Sequence, residues 1–178
     1  GTWTVQTALS LAVPVTGIAE AVFARGLSSE ADLREEAAKQ GFNGPDGNLN
    51  LTDDEKKAFI EDIRQALYAS KIVAYAQGFN EITTAAEEYG WDIDLAAVAR
   101  IWRGGCIIRA KFLNRISEAF ESGEANVSLL FAPYFKNAIE TAEKSWRNVV
   151  AQAAVNGLPT PAFASSLSYF DGLRSKRL

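Results

Sequence analysis

The sequence predicts an all-α fold. Apolar residues recur at three- and four-residue intervals through most of the chain, and no stretch of useful length alternates apolar with polar residues. Glycine, proline and asparagine collect between the periodic runs. The first two observations separate helix from strand, because side chains return to one helix face every 3.6 residues and to one strand face every second residue. The third marks where the helices stop.

Thr2 to Arg25 forms the first helical region, with Leu9, Ala12 and Val13, then Ile18, Ala21 and Val22, at helical spacing. Pro14 lacks a backbone donor and crowds the preceding turn, which predicts a break near Val13. Arg25 stands immediately before Gly26, the residue type that follows many helix ends, so the helix is expected to stop there. Ser28 or Ser29 then caps a short helix running to about Gln40, and Gly41 ends it. The segment GFNGPDGNLN, residues 41–50, holds three glycines, one proline and three asparagines and reads as a loop. Its Asp46, Asn48 and Asn50 imitate the opening of a calcium-binding EF-hand loop. Leu51 and Lys57 occupy the places where that loop needs glycine and glutamate, so calcium is not the expected ligand.

Thr52 and Glu55 form a T-x-x-E capping box at the head of a long helix reaching Tyr89, with Phe59, Ile60, Ile63, Leu67, Ile72, Phe79 and Ile82 as its apolar stripe. Asp92 or Asp94 caps the next helix, in whose text the adjacent Gly104 and Gly105 predict a break or a close backbone approach. Cys106 reads as a small buried apolar residue. Ala132 to Asn156 is a second long helix with Phe135, Ile139, Ala142, Trp146, Val149 and Ala153 on one stripe, stopped by Gly157 and Pro159. Pro161 starts a last helix, Ala162 to Lys176. The two long helices should pack against each other as the centre of the domain.

The 178 residues are 48% hydrophobic and 22% charged, the composition of one globular domain. Such a chain buries roughly 70% of its unfolded surface and needs no disulfide or metal to fold. A net charge of -4 argues against nucleic acid or an anionic membrane as partner. No apolar run is long enough to span a bilayer, and the single cysteine points to a reducing, cytoplasmic compartment. Without histidine, neither a Ser-His-Asp nor a Cys-His system can be assembled, and a zinc site would need carboxylates alone. The pairs Glu35/Glu36, Asp53/Asp54 and Glu87/Glu88 sit at helix starts or polar faces and read as solvated surface. Arg174, Lys176 and Arg177 make a basic end on an acidic domain, a weak case for phosphate binding. Arg25 has two readings: a favourable charge at a helix C-terminus, or a ligand for an anion. The absence of an initiator methionine gives the sequence the character of a piece of a longer protein.

The runs VPVTGIAEAVFARGLSS, ALYASKIVAYAQGF, IWRGGCIIRAKFL and PTPAFASSLSYFDGLRSKRL, in this order, resemble the C-terminal all-helical domain of the 6-phosphogluconate dehydrogenase family over essentially the whole chain. The resemblance implies a parent enzyme of the pentose phosphate pathway. It oxidises 6-phosphogluconate with hydride transfer to NADP, loses carbon dioxide and yields ribulose 5-phosphate without a metal. It also implies a homodimer, with substrate and partner subunit as binding partners. NADP would be held by an N-terminal Rossmann domain outside this sequence, since no strand followed by G-x-G-x-x-G occurs here. The family's base lysine, acid glutamate and C-terminal tail with its arginine and histidine are likewise outside, so no catalytic, cofactor or metal residue is assigned and the chain alone is expected to be inactive. Gly1 corresponds to the last residue of the family's K-G-T-G run, with Thr2 where a basic residue often precedes the tryptophan. The arginine of A-V-F-A-R, Arg25, corresponds to the family's ligand for the substrate phosphate, with Gly26 in place of a frequent cysteine. A related hydroxyacid dehydrogenase and a free-standing helical module are the competing readings.

Overall fold

The computed structural model describes residues 1–104, 106–108 and 110–178. They form eight α-helices and one short 3₁₀ turn, with no strand among the described residues. The order is α1 (Thr2–Ser10), α2 (Thr16–Ser29), α3 (Ala31–Gln40), α4 (Asp53–Tyr89), α5 (Leu95–Ile101), α6 (Leu113–Glu121), the turn Leu129–Phe131, α7 (Pro133–Val155) and α8 (Pro161–Leu173).

Helix α4 is the spine. Its start is the expected capping box: Thr52 N–H donates to Glu55 Oε2 at 2.8 Å, and Glu55 N–H donates to Thr52 Oγ1. Asp53, Asp54 and Glu55 complement the positive end of the helix, and Gly90, in the left-handed region, closes the other end 37 residues later. Helix α7 runs antiparallel along the first half of α4. Asp62 accepts from Ser145 Oγ (2.5 Å) and Asn148 Nδ2 (2.7 Å), and Tyr68 meets Tyr134 hydroxyl to hydroxyl at 3.0 Å near the start of α7. The apolar stripe of α7 is the one expected, and all six residues from Phe135 to Ala153 are buried. Fully buried Trp146 donates its indole N–H to Phe163 O at 3.2 Å and stacks on Phe170, which docks α8. Arg147 bridges Glu143 and Asp171 with both guanidinium arms engaged by Asp171, closing the same joint electrostatically and holding the Asp171 carboxyl below its usual range.

The stripe expected on α4 is corrected in its first half. Ile72 and Phe79 are in the core, but Ile60, Ile63 and Leu67 are exposed. The buried face there runs through Ala66 and Ala69, whose small side chains let α7 approach closely. The second half of α4 is enclosed more completely: Phe79 packs on Trp102 and Phe120, and Tyr75 and Tyr68 close on Phe112.

Several boundaries also differ from expectation. The break expected near Val13 is present, between α1 ending at Ser10 and α2 starting at Thr16, but its form is a Schellman turn: Val13 N–H donates to Ala8 O and Ala12 N–H to Leu9 O, with Ala12 left-handed at φ 55°. Pro14 follows the stop and does not cause it. Helix α2 passes through Gly26 to Ser29, since one exposed glycine costs only about 1 kcal/mol and does not by itself end a helix. Ser28 and Ser29 therefore lie in the last turn of α2, where Ser29 Oγ bonds back to Gly26 O, and cap nothing; Glu30 alone separates α2 from α3. Gly41 ends α3 as expected, left-handed at φ 65°.

Asp94 is the cap of α5, accepting from Ala97 N–H at 2.9 Å. The helix expected across the paired glycines does break, ending at Ile101; nothing approaches the Cβ position of Gly104, and Gly105 lies outside the described residues. Cys106 is half-exposed in this connection, its sulfur accepting from Ile108 N–H, so the buried role expected for it is not the observed one. Arg100 staples α5 to α6 through Ser117, Glu121 and Asp94. Helix α8 starts at Pro161 but stops at Leu173, leaving Lys176 and Arg177 beyond it.

One buried titratable group is left unbalanced. Glu81 on α4 is 7% exposed, has no hydrogen-bond or ion-pair partner among the described residues, and burial pushes its carboxyl above the ordinary value of about 4.5. The folded state therefore holds this proton at pH values where the unfolded chain has lost it. Its contribution is fully favourable below about pH 4.5 and declines as pH rises through the elevated value. Glu81→Gln is expected to raise the urea midpoint at pH 8, to leave it nearly unchanged at pH 4, and to flatten the slope between. An unchanged slope would assign the pH dependence elsewhere.

Candidate functional site

Helix α2 carries the candidate site, and its placement begins at its N-terminus. The N-cap position is Val15, which has no side chain able to accept from the first backbone N–H groups. The missing acceptor comes from α4. Gln77, fully buried, accepts from Gly17 N–H through Oε1 at 3.1 Å and donates from Nε2 to Thr16 Oγ1 at 2.9 Å. Gly17 is also pressed towards α8, since a Cβ there would lie 3.1 Å from Ser166 Oγ and 3.5 Å from Gln77 Oε1. Three helices meet at this point. Beyond it α2 emerges progressively: residues 15–20 are buried or half-buried, and 25–29 are all exposed.

Arg25 sits on that emerging half. It is exposed, and among the described residues its guanidinium has no hydrogen bond or ion pair. It lies more than a turn before the end of α2, whose last turn holds no basic residue, so the helix-end charge considered from sequence has no counterpart here. On the same side of the helix one turn earlier is Val22, and Gly1 packs against it so closely that a Cβ on Gly1 would be 2.8 Å from Val22 Cγ2. Gly1 is the N-cap of α1 and, having no side chain, supplies no side-chain cap. A five-donor planar cation without a partner among the described residues suits a phosphate or carboxylate.

The opposite face of α2 is different in character. Phe23, Ala24 and Leu27 line a groove of about 790 Å³ with Val150, Ala154 and Pro161. Successive α-helical residues are 100° apart, so Phe23 and Leu27 point away from Arg25. Only Glu20 and Arg34 bring charge to the groove, and it offers no convergent polar set for chemistry.

The remaining sequence candidates do not assemble. Lys39 pairs with Glu35 and Glu36, Lys56 with Asp53, and Lys57 with Asp54, all on exposed first or last turns; Glu87 and Glu88 are exposed. Asp46 Oδ1 and Asn48 Oδ1 are used by the backbone N–H groups of Asn48 and Asn50. Arg174 bonds to Asp171 and lies over the Phe170 ring, apart from Lys176 and Arg177. Among the described residues no group of three or more His, Cys, Asp or Glu could hold a metal ion, and no helix is long and apolar enough to cross a membrane. Gln77 was the residue that pattern reading passed over. Its signal is a lone amide inside the apolar text IVAYAQGF, where a buried polar group must have a partner.

Comparison with known proteins matches residues 1–178 to the family described as 6-phosphogluconate dehydrogenase, C-terminal domain. The chain is 51% identical over 175 residues to 6-phosphogluconate dehydrogenase, decarboxylating, of Schizosaccharomyces pombe, covering 98% of this chain and 35% of that protein. It is 47% identical over 178 residues to the human protein of the same name, covering 100% of this chain and 36% of that one. A solved structure of Plasmodium falciparum 6-phosphogluconate dehydrogenase, described as apo, with its cofactor NADP+ and with its substrate 6-phosphogluconate, superposes with a TM-score of 0.90 at 35% identity, over 100% of this chain and 38% of that one. The chain thus spans about a third of the length of the relatives it matches.

The close packing at Gly17 is directly testable. Gly17→Ala is expected to destabilise the domain by about 1–3 kcal/mol through overpacking at the α2–α8 contact. Adding Ser166→Ala should recover part of that loss in urea denaturation; a fully additive pair would show that the contact is not the cause.

Proposed function

The chain belongs to the 6-phosphogluconate dehydrogenase family, matching its C-terminal domain, and we propose that it is the substrate-phosphate-binding and dimerisation part of an enzyme that converts 6-phosphogluconate to ribulose 5-phosphate. The observation that carries the substrate reading is Arg25: an exposed guanidinium without a partner among the described residues, on a helix pinned at its other end. The sugar phosphate is a dianion remote from the reacting carbons, and a bidentate fork fixes both its position and its rotation. What this chain contributes is binding and orientation.

NADP does not fit the residues present. Among the described residues there is no strand, and hence no strand–glycine turn–helix unit, from which a dinucleotide site could be built. NADP binding, the proton-transferring groups and the C-terminal tail are assigned to the two-thirds of the protein outside this chain. The dimer reading is supported by Ile60, Ile63 and Leu67, which expose an apolar stripe along successive turns of α4, with Ile60 66% accessible.

Replacing Arg25 by Ala in the whole enzyme is expected to remove a charge-assisted contact of about 1.5–3 kcal/mol, raising KM for 6-phosphogluconate roughly ten- to a hundredfold. KM for NADP should stay constant, and Arg25→Lys should recover part of the loss, since it keeps the charge without the fork. An Arg25→Ala enzyme with the parental KM would return Arg25 to the role of a surface charge. For the dimer, sedimentation of the 178-residue chain at high micromolar concentration should show self-association that Leu67→Glu abolishes. A monomer in both cases would remove α4 as the interface.

A further inference from the structure

We infer that Gln77 is a positioning residue for the substrate phosphate, acting through Arg25 by fixing the N-terminus of α2 from inside the core; the inference rests on the phosphate reading of Arg25.

Three observations support it. Gln77 is fully buried, and both ends of its amide are committed to α2, to Gly17 N–H and to Thr16 Oγ1. No residue of α2 can replace it, because Val15 occupies the N-cap and Thr16 comes one position too late to cap. The hydrogen bonds that tie α2 to α4 are at that end, and residues 25–29 are exposed. From Gly17 to Arg25 the helix rises about 12 Å, so a tilt of roughly 10° about the anchor moves the guanidinium by about 2 Å. A productive binding geometry tolerates about 0.5 Å. The amide thus sets where the fork stands, although about 12 Å of helix separates its anchor from Arg25.

The alternative is that Gln77 only stabilises the core, as any satisfied buried amide does. The two roles separate in a double-mutant cycle on the whole enzyme. Gln77→Leu leaves Gly17 N–H and Thr16 Oγ1 without their partner; Thr16→Val removes only the hydroxyl. Steady-state kinetics should show KM for 6-phosphogluconate raised about tenfold by Gln77→Leu and about threefold by Thr16→Val, with KM for NADP unchanged. In the Arg25→Ala background neither substitution should raise KM further, because the group they position is gone.

The inference is overturned if both variants keep the parental KM, or if they multiply KM by the same factor with and without Arg25. Should Gln77→Leu fail to fold, the Thr16→Val cycle decides by the same criteria. The two levels fail differently. A raised KM in Arg25→Ala with none in Gln77→Leu or Thr16→Val removes the positioning role alone, whereas a parental KM in Arg25→Ala removes the phosphate reading and this inference with it.

Discussion

The buried amide of Gln77 is the constraint on which the arrangement of α2 depends. A helix that follows a valine starts with backbone donors that water must satisfy or the protein must cap, and here the start is inside the molecule. An amide carries an acceptor oxygen and a donor nitrogen, so it can accept from a backbone N–H and donate to a neighbouring hydroxyl at once. By doing both, Gln77 converts the start of α2 from a cost into a joint between α2 and α4, with Ser166 of α8 pressed against the adjacent glycine.

From that joint the molecule divides into a packed body and a projecting arm. The body is α4 with α7 and α8 on one half and α5, α6 and the 3₁₀ turn on the other. Its cohesion comes from alanine-permitted close approach, the Trp146 and Phe112 aromatic clusters, and paired polar staples at Asp62, Arg100 and Arg147. The arm is the outer half of α2 with α3, which buries no residue at all. An isolated helix of ten residues is marginal in water, so an arm of this kind gains its order from what packs on it. That agrees with a chain spanning only about a third of its relatives.

The two faces of α2 divide the chemistry. One presents the Arg25 guanidinium, which is cationic and hydrogen-bonding; the other presents Phe23 and Leu27 to an apolar groove. The proposed phosphate site is on the first face, because a dianionic phosphate needs donors more than it needs enclosure.

Much of this was determined by the sequence alone. The Thr52/Glu55 box, the Asp94 cap, the Pro161 start and the six-residue stripe of α7 are local: each depends on residues within one or two turns, and each is found as the pattern implies. The proposal for Arg25 comes from the resemblance of its stretch to a family motif and not from periodicity. What only the tertiary structure decided concerns partners distant in sequence. Which face of α4 is buried in its first half depends on where α7 lies, so Ile60, Ile63 and Leu67, although periodic, face outward. Gly26 does not stop α2, and Cys106 is not in the core, because propensity is a weak bias beside packing. Gln77 meets Gly17 across 60 residues of sequence. No periodicity or motif encodes that pairing, because a hydrogen bond between two helices is a property of how they are docked.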